Sequence, residues 1–108
     1  MASHRVIFSP EAEAQLVTLY RRISARSGPR IAAGFTGAIV DFCEKLESFP
    51  ERGTRRDDLR LGLRTVGFRR RVTIAFAVEA GALTIIGIFY GGQDFEAKLR
   101  AGRAATPP

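Results

Sequence analysis

Six apolar residues, Ile31, Phe35, Ile39, Phe42, Leu46 and Phe49, recur at steps of four, four, three, four and three. Only an α-helix brings such positions onto one face, so this stretch supplies an amphipathic helix whose stripe needs a partner layer. The spacing predicts a helix from about Pro29 to Ser48, ended by Phe49-Pro50. Just before it, Ala12, Leu16, Leu19, Tyr20 and Ile23 fall on one face of another helix. Ser9-Pro10-Glu11 announces its start, because serine accepts a free first-turn N–H and proline fits the first helical position. Glu11 and Glu13 suit the positive end of the dipole, and Arg21, Arg22 and Arg26 suit the other. Gly28-Pro29 stops the helix. Two helices with so short a link form an antiparallel hairpin. Gly34 and Gly37 each weaken the second helix by ~1 kcal/mol relative to alanine, and their missing side chains are expected to admit the first helix closely.

Strand patterns flank this hairpin. Residues 5 to 8, Arg-Val-Ile-Phe, read as a short first strand. Residues 51 to 60 are polar and read as an exposed loop. Leu63 to Phe68 and Arg71 to Glu79 follow as strands, the latter with Val72, Ile74, Phe76 and Val78 on one face. Ala80-Gly81 is a tight turn into Ala82 to Tyr90. That last strand is apolar on both faces, Leu83, Ile85 and Phe89 against Ile86, Ile88 and Tyr90, as in a strand covered on both sides. Gly91-Gly92 breaks it, and Asp94 to Arg100 forms a last helical turn or two. The predicted class is α+β: an N-terminal strand, then a helical hairpin packed on a mainly antiparallel four-stranded sheet, in the order β-α-α-β-β-β.

The chain's 108 residues fit one domain, expected over residues 1–100 with a frayed tail at 101–108. The single cysteine, Cys43, excludes an internal disulfide and any multi-cysteine zinc site. No apolar run approaches the ~18 residues of a membrane span, and Met1 to Pro10 lacks the apolar stretch of a secretory signal. The expected location is cytoplasmic, with no membrane partner, metal or cofactor.

Charge is placed unevenly. Fifteen of the seventeen basic residues are arginine, whose planar fork favours directed recognition of carboxylates and phosphates; a GC-rich genome yields the same bias. Arg52, Arg55, Arg56, Arg60, Arg64, Arg69, Arg70 and Arg71 crowd one segment against only Asp57 and Asp58. That segment alone carries +6, the net charge of the whole chain. Such a patch points to an acidic partner, either a nucleic acid or an acidic protein segment.

Familiar catalytic patterns are missing. His4 is the only histidine and lies at a terminus, where a solvated role is the ordinary one. Cys43 follows Phe42 in the apolar stripe and reads as a packed thiol. Arginine can stabilise charge developing on a phosphodiester but is too weak an acid to serve as a base. Tyr90, at a strand end, can act as an acid, stack on a base or simply pack.

Taken together, "VIFSPEAEAQL", "LYRRI", "LESFPERGTRRDDL", "GLRTVGFRRRVTIAF" and "IIGIFYGGQDFEA" resemble the ParE branch of the ParE/RelE toxin superfamily over residues 5 to 99. The resemblance implies the toxin of a type II toxin–antitoxin module, often labelled a plasmid stabilisation protein. It implies a cognate antitoxin whose C-terminal segment folds onto the toxin, with operator DNA bound only through a hetero-oligomeric complex. RelE-like members cleave mRNA on the ribosome with sheet arginines, an arginine after the last strand and often a tyrosine. ParE-like members resemble poisons of DNA gyrase. This sequence has Gln93 and Phe95 where the nuclease pattern has arginine and tyrosine, which favours gyrase as the target and a toxin that is not an enzyme. Target or antitoxin contacts are expected at Arg55, Arg56, Arg64, Arg69, Arg70, Arg71 and Tyr90. If the chain is instead a nuclease, Arg64, Arg71 and Tyr90 form its catalytic set. A degenerate toxin that only binds its antitoxin is the remaining alternative.

Overall fold

Ser9 starts the first helix as its position predicts: its Oγ accepts the Ala12 N–H at 3.0 Å. That helix, α1, spans Pro10–Ser27 in the computed structural model, which describes residues 5–91 and 94–105. Gly28, at φ 94°, both closes α1 and opens α2, Pro29–Lys45. Its N–H donates to the Ser24 carbonyl at 2.8 Å, and its own carbonyl accepts the Ala32 N–H at 3.1 Å. A 3-10 turn over Leu46–Ser48 carries the chain off the helix.

The strands are β1 (Arg5–Phe8), β2 (Thr54–Arg55), β3 (Leu63–Phe68), β4 (Val72–Glu79) and β5 (Ala82–Tyr90). They form one sheet in the order β1-β5-β4-β3-β2. β1 runs parallel to β5 and the other pairs are antiparallel. The sheet therefore has five strands where the sequence predicted four. The addition, β2, comes from within the stretch read as a loop. Its signal was invisible because it depends on Gly53: at φ 86°, a Cβ there would run into the Thr65 carbonyl oxygen, so glycine alone lets this segment close on β3.

One face of the sheet packs against α1 and α2. Phe76, Ile74, Leu83 and Ile85 are fully buried there with Ile39, Cys43 and Leu46. The stripe predicted for α2 is correct at its centre and open at its ends, since Ile31 is 57% and Phe49 is 62% exposed. In the first turn Ala32 takes the buried place beside Ile31, and the 3-10 turn rotates Phe49 out of the stripe. Gly34 and Gly37 are likewise exposed, with open space where a Cβ would sit, so neither serves close helix packing.

A β-bulge corrects the expected faces of β5. The register passes from Ala75↔Gly87 to Phe76↔Ile85, which leaves Ile86 as an extra residue. Strict alternation grouped Phe89 with Leu83 and Ile85. The bulge instead sends Ile88 and Tyr90 to the helix side and Phe89 to the opposite face. The ladder groups displaced by the bulge bond to α1 and its cap. Ser9 Oγ donates to the Ile86 carbonyl at 3.0 Å, and the Ile88 N–H donates to Gln15 Oε1 at 2.6 Å. Gln15→Leu removes that acceptor and leaves a half-buried N–H unsatisfied. The expected loss is about 1–3 kcal/mol, read as a lower urea midpoint at unchanged slope. An unmoved midpoint would show that the bulge does not depend on Gln15.

The second face carries a smaller core of Leu59, Leu63, Ala75 and Phe89. It is covered by the last helix, α3, Phe95–Ala105, through Phe95 and Leu99. α3 continues past the turn or two expected at Asp94 to Arg100 and into the segment expected to fray, because Ala101, Ala104 and Ala105 are strong helix formers. Residues 106–108, His4 and Gln93 lie outside the described residues.

Candidate functional site

The β3–β4 hairpin turns through Arg69 and Arg70, closed by the Arg71 N–H to the Phe68 carbonyl at 3.2 Å. Both central residues have left-handed backbones, φ 51° and φ 63°. Each such non-glycine residue costs about 1–2 kcal/mol relative to the right-handed form. Turns with this pattern favour Asn-Gly. Two consecutive arginines therefore occupy positions that the fold by itself would give to other residues, and strain retained in this way marks a functional candidate. The neighbouring β4–β5 turn obeys the rule better, with Ala80 at φ 50° followed by Gly81.

Arg69, Arg70 and Arg71 are all exposed. The Arg69 guanidinium lies 4.9 Å from the centre of the Phe68 ring, which holds it against the body. The Arg71 carbonyl accepts the Gly91 N–H at 2.7 Å, tying the hairpin to the end of β5. Tyr90 pairs with Val72 in the register, and both face the helix side, one residue on from Arg71. Its half-buried ring meets the Phe35 ring edge-on at 6.2 Å.

A second group sits at the other end of β3. Arg55 and Arg64 are direct partners in the β2–β3 register. Like charges placed so oppose pairing, and local acceptors offset them. Arg55 Nη2 bonds Asp57 Oδ2 at 2.9 Å, and Arg64 Nη1 bonds the Glu51 carbonyl at 2.7 Å. The Gly62 N–H, then Arg55, holds the Asp57 carboxyl below its ordinary range. With Pro50, Glu51, Gly62 and Val78, the two arginines line an open groove of about 290 Å³. Arg64 and Phe68 are four strand positions apart, about 13 Å, so the two groups are separate.

Arg56 belongs to neither group. Its Nε and Nη2 grip Asp58 at 2.9 and 2.8 Å, and Nη2 also reaches Glu96 at 2.6 Å. Asp58 first and Glu96 second keep its guanidinium protonated well above the ordinary range. Its place over Phe95, at 6.0 Å, makes it a strut between the 56–62 loop and α3. Counting arginines in the sequence missed this role, although the Arg55-Arg56-Asp57-Asp58 run does contain the two acids that engage them.

Cys43 is fully buried, and burial first and Glu44 second push its thiol up to about 12. A thiol in that state is no nucleophile at neutral pH. Because the folded value is raised, the stability it contributes is complete below the unfolded thiol's ordinary value of roughly 8.5 and declines as pH rises toward about 12. The expected slope is at most ~1.4 kcal/mol per pH unit and disappears in Cys43→Ala. Unfolding midpoints between pH 8 and 11 test this, and equal slopes in both proteins would refute it. Among the described residues, no group of three or more His, Cys, Asp and Glu is arranged to hold a metal.

Residues 6–95 match the family described as the ParE toxin of the type II toxin–antitoxin system parDE. The chain belongs to this family. A search of curated protein sequences found no match. Solved structures that share the fold include two toxin–antitoxin systems. One is a chromosomal ParDE toxin–antitoxin system from P. aeruginosa, with a TM-score of 0.73 at 22% identity, covering 82% of this chain and 97% of that one. The other is the toxin–antitoxin complex RelBE2 from Mycobacterium tuberculosis, with a TM-score of 0.57 at 22% identity, covering 86% and 97%.

For a ParE-family chain, the expected contact residues divide cleanly. Arg69, Arg70, Arg71 and Tyr90 share one end of the sheet, Arg55 and Arg64 share the other, and Arg56 is withdrawn into the framework. The conditional nuclease set of Arg64, Arg71 and Tyr90 is not gathered into one place, because Arg64 lies at the far end of β3. Phe95 packs against Phe89 at 6.0 Å between ring centres, so an apolar ring there has a task in the core. The strained turn was readable in principle: Arg69-Arg70 joins two clear strands without the glycine or asparagine that such a link calls for.

Proposed function

We propose that this chain is a growth-arresting toxin that acts on DNA gyrase and is silenced by a cognate antitoxin. The observation that carries the reading is the arginine hairpin, exposed and retained in a strained turn, with Arg64 too distant to complete a catalytic set. A surface of exposed guanidinium groups suits binding and clamping more than acid–base chemistry. The family match and the two toxin–antitoxin neighbours support the antitoxin as partner. An acidic antitoxin segment that orders on binding would neutralise the net charge of +6. Operator DNA is then bound by the hetero-oligomer through the antitoxin.

One observation favours ribosome-dependent mRNA cleavage as the second reading: a phenol, Tyr90, and a guanidinium able to stabilise charge during 2′-OH attack, Arg71, occur at the same end of the sheet. Short induction without antitoxin, in a cytoplasm carrying a DNA-damage reporter, separates the two. A rapid reporter rise with intact transcripts is expected. Arrest with a silent reporter and transcripts cut within codons would establish the nuclease instead, and undisturbed growth would leave only an antitoxin-binding relative.

A further inference from the structure

β1 pairs with β5 only through Ile85, and beyond that point Ser9 and Gln15, rather than a strand, bond the edge of β5. Ile88 and Tyr90 form one wall of a groove there. Ala14, Gln15, Thr18, Leu19 and Arg22 of α1 and Lys98 of α3 complete it, around a volume of about 240 Å³. Arg22 and Lys98 come from elements far apart in sequence. Among the described residues, neither is paired with a carboxylate, whereas Arg55, Arg56 and Arg60 all are. Folding has brought two uncompensated cations to one small recess.

We propose that this groove binds a phosphoryl group, as inorganic phosphate or as the phosphate of a nucleoside monophosphate. The lining supplies a planar guanidinium fork, a compact ammonium and the hydroxyl of Thr18. Donors arriving from both helices match a tetrahedral oxyanion better than a planar carboxylate, which one arginine fork can satisfy alone. The volume falls below the ~300 Å³ at which pockets begin to enclose drug-sized ligands, so the groove holds the charged group and leaves any nucleoside outside. A phosphate here bridges α1 to α3, which is otherwise fastened by Phe95, Leu99 and the Arg56–Glu96 pair. Arg22 and Lys98 lie outside the arginine hairpin, whose end of the sheet shares only Tyr90 with this groove, and the test does not involve toxicity.

The test is calorimetric titration of the folded chain with inorganic phosphate, adenosine 5′-monophosphate and acetate at matched ionic strength. Saturable phosphate binding is expected, with Arg22→Gln and Lys98→Gln each weakening it about tenfold. Arg30→Gln, an exposed arginine at the start of α2, leaves it unchanged. Equal affinity for phosphate and the nucleotide assigns the phosphoryl group alone, and tighter nucleotide binding assigns a nucleoside monophosphate. Acetate binding as tightly as phosphate overturns the proposal, and so does a double variant that responds like the native chain. Should the double variant fail to fold, amide NMR of the native chain decides. Phosphate-dependent shifts confined to Thr18–Arg22 and Lys98 uphold the site, and shifts elsewhere refute it.

Discussion

Replacing Arg69-Arg70 with Asn-Gly is expected to stabilise the protein and abolish growth arrest together. Both native residues hold left-handed backbones, at φ 51° and φ 63°. Relief of that strain is worth about 1–2 kcal/mol in total, because asparagine still bears part of the penalty. For a domain of this length the melting temperature should rise by roughly 5–10 °C. Loss of the two guanidinium groups removes the surface on which target contact is proposed. Charge reversal, Arg70→Glu with Arg71→Glu, should abolish arrest in a protein that stays folded. The matched control is Ala80→Asn in the β4–β5 turn, where φ is 50°. It should give part of the stabilisation and leave toxicity intact. A fully toxic Asn-Gly variant would remove the hairpin from the functional site, and a destabilised one would remove the strain argument.

Phe76→Ala should produce the largest loss of stability. Phe76 is fully buried and heads the residues of the main core. It sits at the register shift, opposite Ile85. Its neighbours in that core come from the sheet and both helices, and their own packing limits how far they can collapse into the space left behind. The expected loss is 3–5 kcal/mol, about the size of a Phe→Ala cavity in other cores. Typical domains have about 5–15 kcal/mol in total, so urea denaturation should show a sharply lowered midpoint. A loss under ~1 kcal/mol would mean that the core is far more plastic than its burial implies.

The parts of this fold that were legible in the sequence are those governed by local rules. Helical spacing located α1 and α2, and Ser9-Pro10 and Gly28-Pro29 fixed both ends of α1 and the start of α2, whereas α2 gives way to a 3-10 turn after Lys45, before the expected end at Ser48. Apolar runs found β1, β3 and β5 with their observed limits, and alternation found β4 to within one residue. The misses arose from contacts between distant residues. The bulge at Ile86 is held by Ser9 and Gln15, more than seventy residues away in the chain, so alternation within β5 gave the wrong face to Phe89, Ile88 and Tyr90. β2 exists because Gly53 can approach Thr65. For the site, composition located the arginines but did not sort them. Arg56 looked like Arg55, yet its engagement with Glu96, forty residues on, makes it framework. Arg64 looked like a companion of Arg71, and the length of β3 separates them.

The most direct test of the central claim is a gyrase cleavage assay with purified native chain, supercoiled plasmid and ATP. Linear plasmid, released by denaturing and digesting the enzyme, is expected with the native chain and with Ala80→Asn, and none with the Asn-Gly hairpin variant. Unaltered gyrase activity at saturating native chain, with mRNA cut in a translating extract, would contradict it.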